Sequence, residues 1–225
     1  MQALEEDLLL MAAKVEAMVS ASIDALSDRN LKLAEEAIVL EPEIDRLEMR
    51  LDKRCITILA RFKPVASDLR LVTAALKAVI YLERIADLAE HIGRGILELG
   101  TTRFPAVEQQ LIHVGRIVNA MVRDVLDAFV NRDAALAADV VRRDRQADIA
   151  YAQCYPQVMT AMMQRPDRLE QLIVLQSIAA SFERIGDHAT NIGEIVAFLI
   201  DGRNGRALRD RGSSSGLFVV ASPKS

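Results

Sequence analysis

The chain has 225 residues, enough for one or two domains with a sizeable core. Apolar residues make up 51% but aromatics only 4%, with no Trp, so the apolar weight lies in Ala, Leu, Val, Ile and Met, which suits helices better than sheets. With 32 acidic against 28 basic residues the net charge is −4, which argues against an electrostatic nucleic-acid binder, and so few aromatics leave no platform for stacking bases.

Helical periodicity runs from the start, with Leu4, Leu8, Met11, Val15, Met18 and Val19 at three- and four-residue spacing and Ile44, Leu47 and Leu51 repeating it. Turn-forming residues at Asp28-Arg29-Asn30, Lys63-Pro64, Gly100 to Pro105, Asn131-Arg132-Asp133, Arg165-Pro166-Asp167 and Gly202 onward divide the chain. The expectation is an all-α fold of six long helices near 3–27, 31–62, 65–99, 105–130, 133–164 and 167–200. Helices of that length, apolar along one face, are stable only when packed in bundles. Pro42 lacks an amide hydrogen and its ring meets the preceding turn, so the second helix is expected to kink or restart there.

The chain begins Met1-Gln2-Ala3-Leu4-Glu5-Glu6-Asp7, acidic where a secretory signal needs a positive region, and the expected location is the cytoplasm. The longest uncharged stretch, 149–164, contains Gln153, Pro156, Gln157 and Thr160 and is shorter than the roughly 20 apolar residues of a membrane span, so no direct membrane insertion is expected. Cys55 and Cys154 stand apart, with no Cys-x-x-Cys pair, and read as core residues.

Self-comparison shows an internal duplication. Residues 18–41 align without a gap on 121–144, an offset of 103, with seven identities, and 83–93 align on 183–193, an offset of 100, with seven of eleven identical. The expected organisation is two pseudo-symmetric three-helix bundles: a first repeat at 1–102, a second at 103–202, and a flexible, basic, Gly/Ser-rich tail at 203–225.

No phosphate-binding loop, nucleophile elbow or His-Glu-x-x-His helix is present. What stands out is the acidic-x-x-x-acidic pair. Of six such pairs, four occupy matched places: Glu41/Asp45 with Asp144/Asp148, and Glu83/Asp87 with Glu183/Asp187. On a helix this spacing sets like charges on one face, at a cost of roughly 0.2–0.5 kcal/mol per pair. Pairing with Arg46, Arg84, Arg145 or Arg184, or simple solvation, accounts for one such pair. Four in register suggest clusters that call for hard cations with oxygen ligands: iron, manganese, magnesium, calcium or zinc. His91 continues the ladder Glu83, Asp87 and is a candidate extra ligand, whereas the matching position is Asn191. His188, one residue after Asp187, points elsewhere round the helix and reads as structural. Di-iron bundles use Glu-x-x-His, and no Glu-x-x-His occurs here, which lowers a redox-enzyme reading.

The blocks Leu82-Glu83-Arg84-Ile85-Ala86-Asp87 and Phe182-Glu183-Arg184-Ile185-Gly186-Asp187-His188-Ala189-Thr190-Asn191-Ile192, preceded by Lys63-Pro64-Val65-Ala66-Ser67-Asp68-Leu69-Arg70, resemble the PhoU family of phosphate-transport accessory proteins over residues 1 to about 202. That resemblance implies paired three-helix bundles, with metal clusters at Glu41, Asp45, Glu83 and Asp87 in one half and Asp144, Asp148, Glu183 and Asp187 in the other. It also implies a non-enzymatic, cytoplasmic negative regulator of phosphate uptake and of the phosphate-starvation response. Such a regulator would bridge the ATPase of the phosphate ABC transporter and the sensor histidine kinase, peripheral to the inner membrane through these partners. Ala86 and His91 stand where the family has Gly and Asn. A homodimer is expected from the exposed Ala, Val and Leu of the helices. Two other readings stay open: a carboxylate-bridged metalloenzyme acting on phosphate esters or oxygen, and a metal-free helical adaptor.

The eight ladder carboxylates carry −8, so the remaining residues sum to +4, of which 201–225 supply +3 from five basic and two acidic side chains.

Overall fold

The structure is a computed structural model describing residues 1–202. It is helical throughout that range: α1 (Gln2–Asp28), α2 (Leu31–Phe62), α3 (Ala66–Leu99), α4 (Pro105–Asn131), α5 (Ala134–Ala152), α6 (Cys154–Gln164) and α7 (Leu169–Asp201), with one 3₁₀ turn at Pro166–Arg168 before α7. The expected basic tail at 203–225 lies outside the described residues.

Each helix buries the face its sequence marks. In α4, Val107, Leu111, Val114, Val118, Val122 and Val125 recur every three to four residues and are buried along its length. Each fully buried aliphatic side chain of this kind contributes about 1.5–3 kcal/mol. α1, α2 and α3 pack as one three-helix bundle, and α4, α5 with α6, and α7 as a second. α3 lies along α7 and α1 along α4, so the two bundles share one apolar core that runs from Leu4 and Met11 to Phe182 and Ile192.

The duplication is visible in the joints. Arg29 and Arg132, 103 residues apart, both end their helices in the left-handed conformation at φ 52°. The residue immediately after each arginine caps the following helix. The Asn30 side chain accepts from the Lys32 amide at 3.2 Å, and the Asp133 side chain accepts from those of Ala135 and Leu136 at 2.9 and 3.0 Å. Gly93 and Gly193 are also matched. A Cβ on Gly93 would meet the Ala34 carbonyl oxygen at 3.0 Å, and one on Gly193 the Ala137 carbonyl oxygen at 3.2 Å. These glycines bring α3 against α2 and α7 against α5 at the level of the acidic blocks.

The prolines behave differently from expectation. α2 runs unbroken through Pro42, so no restart occurs there. Pro42 faces solvent, and Ala34 before it and Ile44 and Leu47 after it are held in the same core. The interruption falls instead in the expected 133–164 helix, which divides into α5 and α6 at Gln153, three residues before Pro156. At the break the Ala150 carbonyl accepts from Gln110 Nε2 of α4 at 2.9 Å and from Cys154 Sγ, at the start of α6, at 3.7 Å. Cys55 and Cys154 are free and buried, as a core role requires.

Candidate functional site

In the first half the acidic ladders of α2 and α3 face one another. Burial holds the Glu41 carboxyl above its ordinary range, reinforced by Asp45 on its own helix and by Glu90 and Asp87 on α3. Glu83 is pushed up to about 7, first by burial and then by Asp87, against the opposing pull of Arg84. Glu48, one turn beyond Asp45, is raised by burial and then by Asp52 and Asp45, with Asp87 adding from across the groove. The internal counter-charge is thin. Arg84 lies 3.4 Å from both Glu83 and Asp87, the long end of ion-pair distance, while Arg94 is committed to Glu90 at 2.6 Å.

In the second half α7 and α5 face in the same way. Glu183 is raised by burial, then by Asp187 and Asp148, with Arg184 opposing and Asp144 adding. Asp148 is raised by burial and by Asp144. Asp144 Oδ1 accepts from Thr190 Oγ1 at 3.0 Å, and Thr190 is completely buried. The helices thus bring each half's four ladder carboxylates into a common electrostatic field.

The halves are not equal, and residues outside the matched pairs make the difference. Glu48, Asp52 and Glu90 of the first half align with Tyr151, Tyr155 and Thr190 of the second, so these matched positions carry seven carboxylates in the first half and four in the second. Tyr151 occupies the place of Glu48, its phenol raised by burial and then by Glu183. Glu48 and Glu90 were legible through the same offsets of 103 and 100 that revealed the duplication.

His91 is engaged by the neighbouring bundle: its Nε2 is 2.8 Å from Ser177 Oγ of α7, across the seam between the bundles. His188 lies on the other side of that seam, its ring centroid 5.7 Å from that of Tyr81, with both ring nitrogens buried and without a hydrogen bond. Burial, then Arg184 and Arg84, lower its pKa. Both histidines line a cavity of about 430 Å³ with Arg84, Asp87, Ser177 and Arg184.

The ladders offer oxygen donors only, and burial first and neighbouring carboxylates second hold these carboxyls above their ordinary range, an environment in which a hard cation would favour the ionised form. In position the side chains are spread along the helices: among the described residues, no three His, Cys, Asp or Glu side chains converge closely enough to hold an ion. A cation would draw together carboxylates that α2 and α3, or α5 and α7, already present to each other. No helix among the described residues is long and apolar enough to cross a membrane.

The PhoU domain family model matches the chain twice, at residues 8–96 and 111–196. The chain is 37% identical over 200 residues to the phosphate-specific transport system accessory protein PhoU homolog of Pseudomonas aeruginosa, covering 88% of this chain and 83% of that one. It is 32% identical over 206 residues to the Escherichia coli K12 phosphate-specific transport system accessory protein PhoU, covering 92% and 86%. The crystal structure of PhoU from Pseudomonas aeruginosa superposes with a TM-score of 0.86 at 36% identity, covering 90% of this chain and 97% of that one. That of the phosphate transport system regulatory protein PhoU from Streptococcus pneumoniae superposes at 0.81 and 26% identity, covering 90% and 96%. Two matched domains, a shared fold and this identity over most of the chain have one consequence: the chain belongs to the PhoU family.

Proposed function

We propose that this protein is a non-enzymatic accessory regulator of a phosphate-specific transport system, restraining phosphate uptake and the phosphate-starvation response when phosphate is plentiful. It acts in the cytoplasm, as a homodimer, bridging the transporter's ATPase and the sensor histidine kinase. The observation that carries this reading is the duplicated pair of acidic grooves, Glu41, Asp45, Glu83 and Asp87 in one half and Asp144, Asp148, Glu183 and Asp187 in the other, set in a chain of this family.

The grooves are cation sites for iron, manganese, zinc or magnesium. A bound cation supplies charge neutralisation that the protein's own arginines provide only in part. The residues do the rest: α2 and α3 hold Glu41, Asp45, Glu83 and Asp87 in register, Arg84 tethers Glu83 to Asp87, and Gly93 keeps the two helices close. In the second half Thr190 orients Asp144 and Gly193 sets the helix spacing.

The metal-free adaptor is favoured by one observation, the position of Arg84 between Glu83 and Asp87. Metal analysis of the protein purified from its host separates the two readings. Metal that copurifies, and is lost from a variant carrying Asp87→Asn and Asp187→Asn, supports cation sites; none after supplementation leaves the adaptor. Capture of the ATPase and the kinase by the tagged protein tests the bridging role, which fails if neither is recovered.

A further inference from the structure

The second half carries a feature that the carboxylate grooves do not use. Between the end of α1, the first turns of α4 and α6, a cavity of about 670 Å³ is lined by Arg103, Glu108, Gln109, His113, Arg116 and Gln157, together with smaller side chains. Glu108, the acidic member of this wall, is already engaged. Arg29 Nη2 donates to it, Arg103 Nε donates at 2.8 Å and the Phe104 amide at 2.7 Å. Arg29 keeps two further nitrogens, Nε and Nη1, buried without a partner. One carboxylate therefore faces two guanidiniums, and positive charge is in excess before the rest of the wall is counted.

Arg116 and His113, among the described residues, have neither an ion pair nor a hydrogen bond. Both are exposed side chains of α4, three residues apart and so on one face of the helix, in its third and fourth turns. Pro105 opens that helix and lacks an N–H. Ala106, next in line and also in the cavity wall, has an amide with no helical carbonyl four residues before it.

The duplication supplies an internal control. Counting back 103 residues, Gln109, Gln110, His113 and Arg116 become Glu6, Asp7, Leu10 and Ala13. In that first-half counterpart Asp7 is closed off by Arg54 at 3.0 Å and Arg50 at 3.6 Å. The second half has amides where the first has acids, and cations where the first has apolar side chains. The charge of this surface is thus inverted between the two copies of one bundle.

We propose that this cavity binds a small phosphate-bearing anion, with Arg116, Arg103 and His113 on its oxygens. Guanidinium forks match phosphate oxygens in geometry as well as charge. The cavity falls in the range of small-molecule sites and is larger than a bare phosphate needs. Gln109 and Gln157 offer amides to hydroxyl groups, and no Phe, Tyr or Trp lines the wall to stack a base. The chemistry shared by free phosphate and a sugar phosphate is thus what the site recognises. It is independent of any cation on the acidic grooves.

Calorimetric titration of the full-length, chelator-treated protein tests this, using inorganic phosphate, ribose 5-phosphate and a decameric polyglutamate peptide at fixed ionic strength. The expected result is saturable one-site binding of a phosphate compound, weakened at least tenfold in Arg116→Gln and also weakened in His113→Gln. Arg123→Gln, on an exposed arginine of the same helix, should bind as the parent does. The tighter of the two phosphate compounds identifies the source. Absence of saturable binding by both, equal weakening in Arg123→Gln, or binding of the peptide alone overturns the proposal.

Discussion

Arg29, which ends α1, donates to Glu108 in the first turn of α4, and 103 residues later the relationship is returned: Arg132, which ends α4, lies 3.6 Å from Glu5 in the first turn of α1. The antiparallel helices α1 and α4 are thus clasped at both ends by the same pair of residue types. The clasps differ in setting. Side-chain exposure is 8% and 2% at Arg29 and Glu108 but 56% and 46% at Arg132 and Glu5.

Burial decides what each clasp contributes. Glu108→Ala leaves the Arg29 charge buried without its carboxylate and should destabilise the protein by about 3–5 kcal/mol. Glu5→Ala opens a solvated pair and should cost less than about 1 kcal/mol. Chemical denaturation of the two variants compares them directly, and equal losses would contradict the asymmetry.

Helix spacing at the acidic blocks depends on Gly93. Gly93→Ala forces a methyl against the Ala34 carbonyl and should cost about 1–3 kcal/mol, reduced by the roughly 1 kcal/mol that Ala gains over Gly in a helix. Gly186→Ala meets nothing nearer than 3.5 Å and should be neutral or stabilising. Its counterpart in the first half is already Ala86. Thermal denaturation of both variants checks the contrast, which fails if Gly186→Ala is the more damaging.

Glu83 makes the metal-free protein sensitive to pH. Its carboxyl titrates near 7 when folded against an ordinary value of 4.5, so between these values the folded state holds more protons than the unfolded one. The stabilisation is complete below about pH 4.5 and is lost as pH rises through 7. Melting of chelator-treated protein should therefore show stability from this group falling between pH 5 and pH 8, and Glu83→Gln should flatten the fall. An unchanged slope in Glu83→Gln would contradict the assignment.

The grooves should also differ in cation affinity. The matched positions carry seven carboxylates in the first half and four in the second, and Thr190 donates to one oxygen of Asp144. Asp187→Asn should leave the tighter class of sites intact, whereas Asp87→Asn should remove it. Titration with manganese followed by paramagnetic relaxation separates the classes, and loss of the tighter one in Asp187→Asn would reverse the order.

The all-helical fold and the duplication were legible because both rest on local regularities: apolar spacing of three and four, turn residues at Asp28-Arg29-Asn30 and Asn131-Arg132-Asp133, and the twin acidic blocks. The helix break was not, since Pro42 and Pro156 carry the same local penalty. What separates them is tertiary: solvent and a continuous core face at Pro42, and Gln110 reaching the Ala150 carbonyl near Pro156. Glu108 was invisible for the same reason, being an acid in a first helical turn until Arg29, 79 residues away, meets it. His91 lies on the ladder by spacing, yet Ser177 of α7 takes its imidazole, a contact that no single-helix pattern contains. Glu48 and Glu90 needed only a closer look at the internal alignment.

Phosphate uptake by intact cells tests the regulatory role most directly. Removing the gene for this protein should raise uptake and starvation-gene expression in high-phosphate medium. The parent chain should restore both, and a chain carrying Glu83→Gln, Asp87→Asn, Glu183→Gln and Asp187→Asn, checked to fold, should not. Uptake unchanged by the deletion would contradict the regulatory role, and full restoration by the fourfold variant would contradict the part assigned to the acidic grooves.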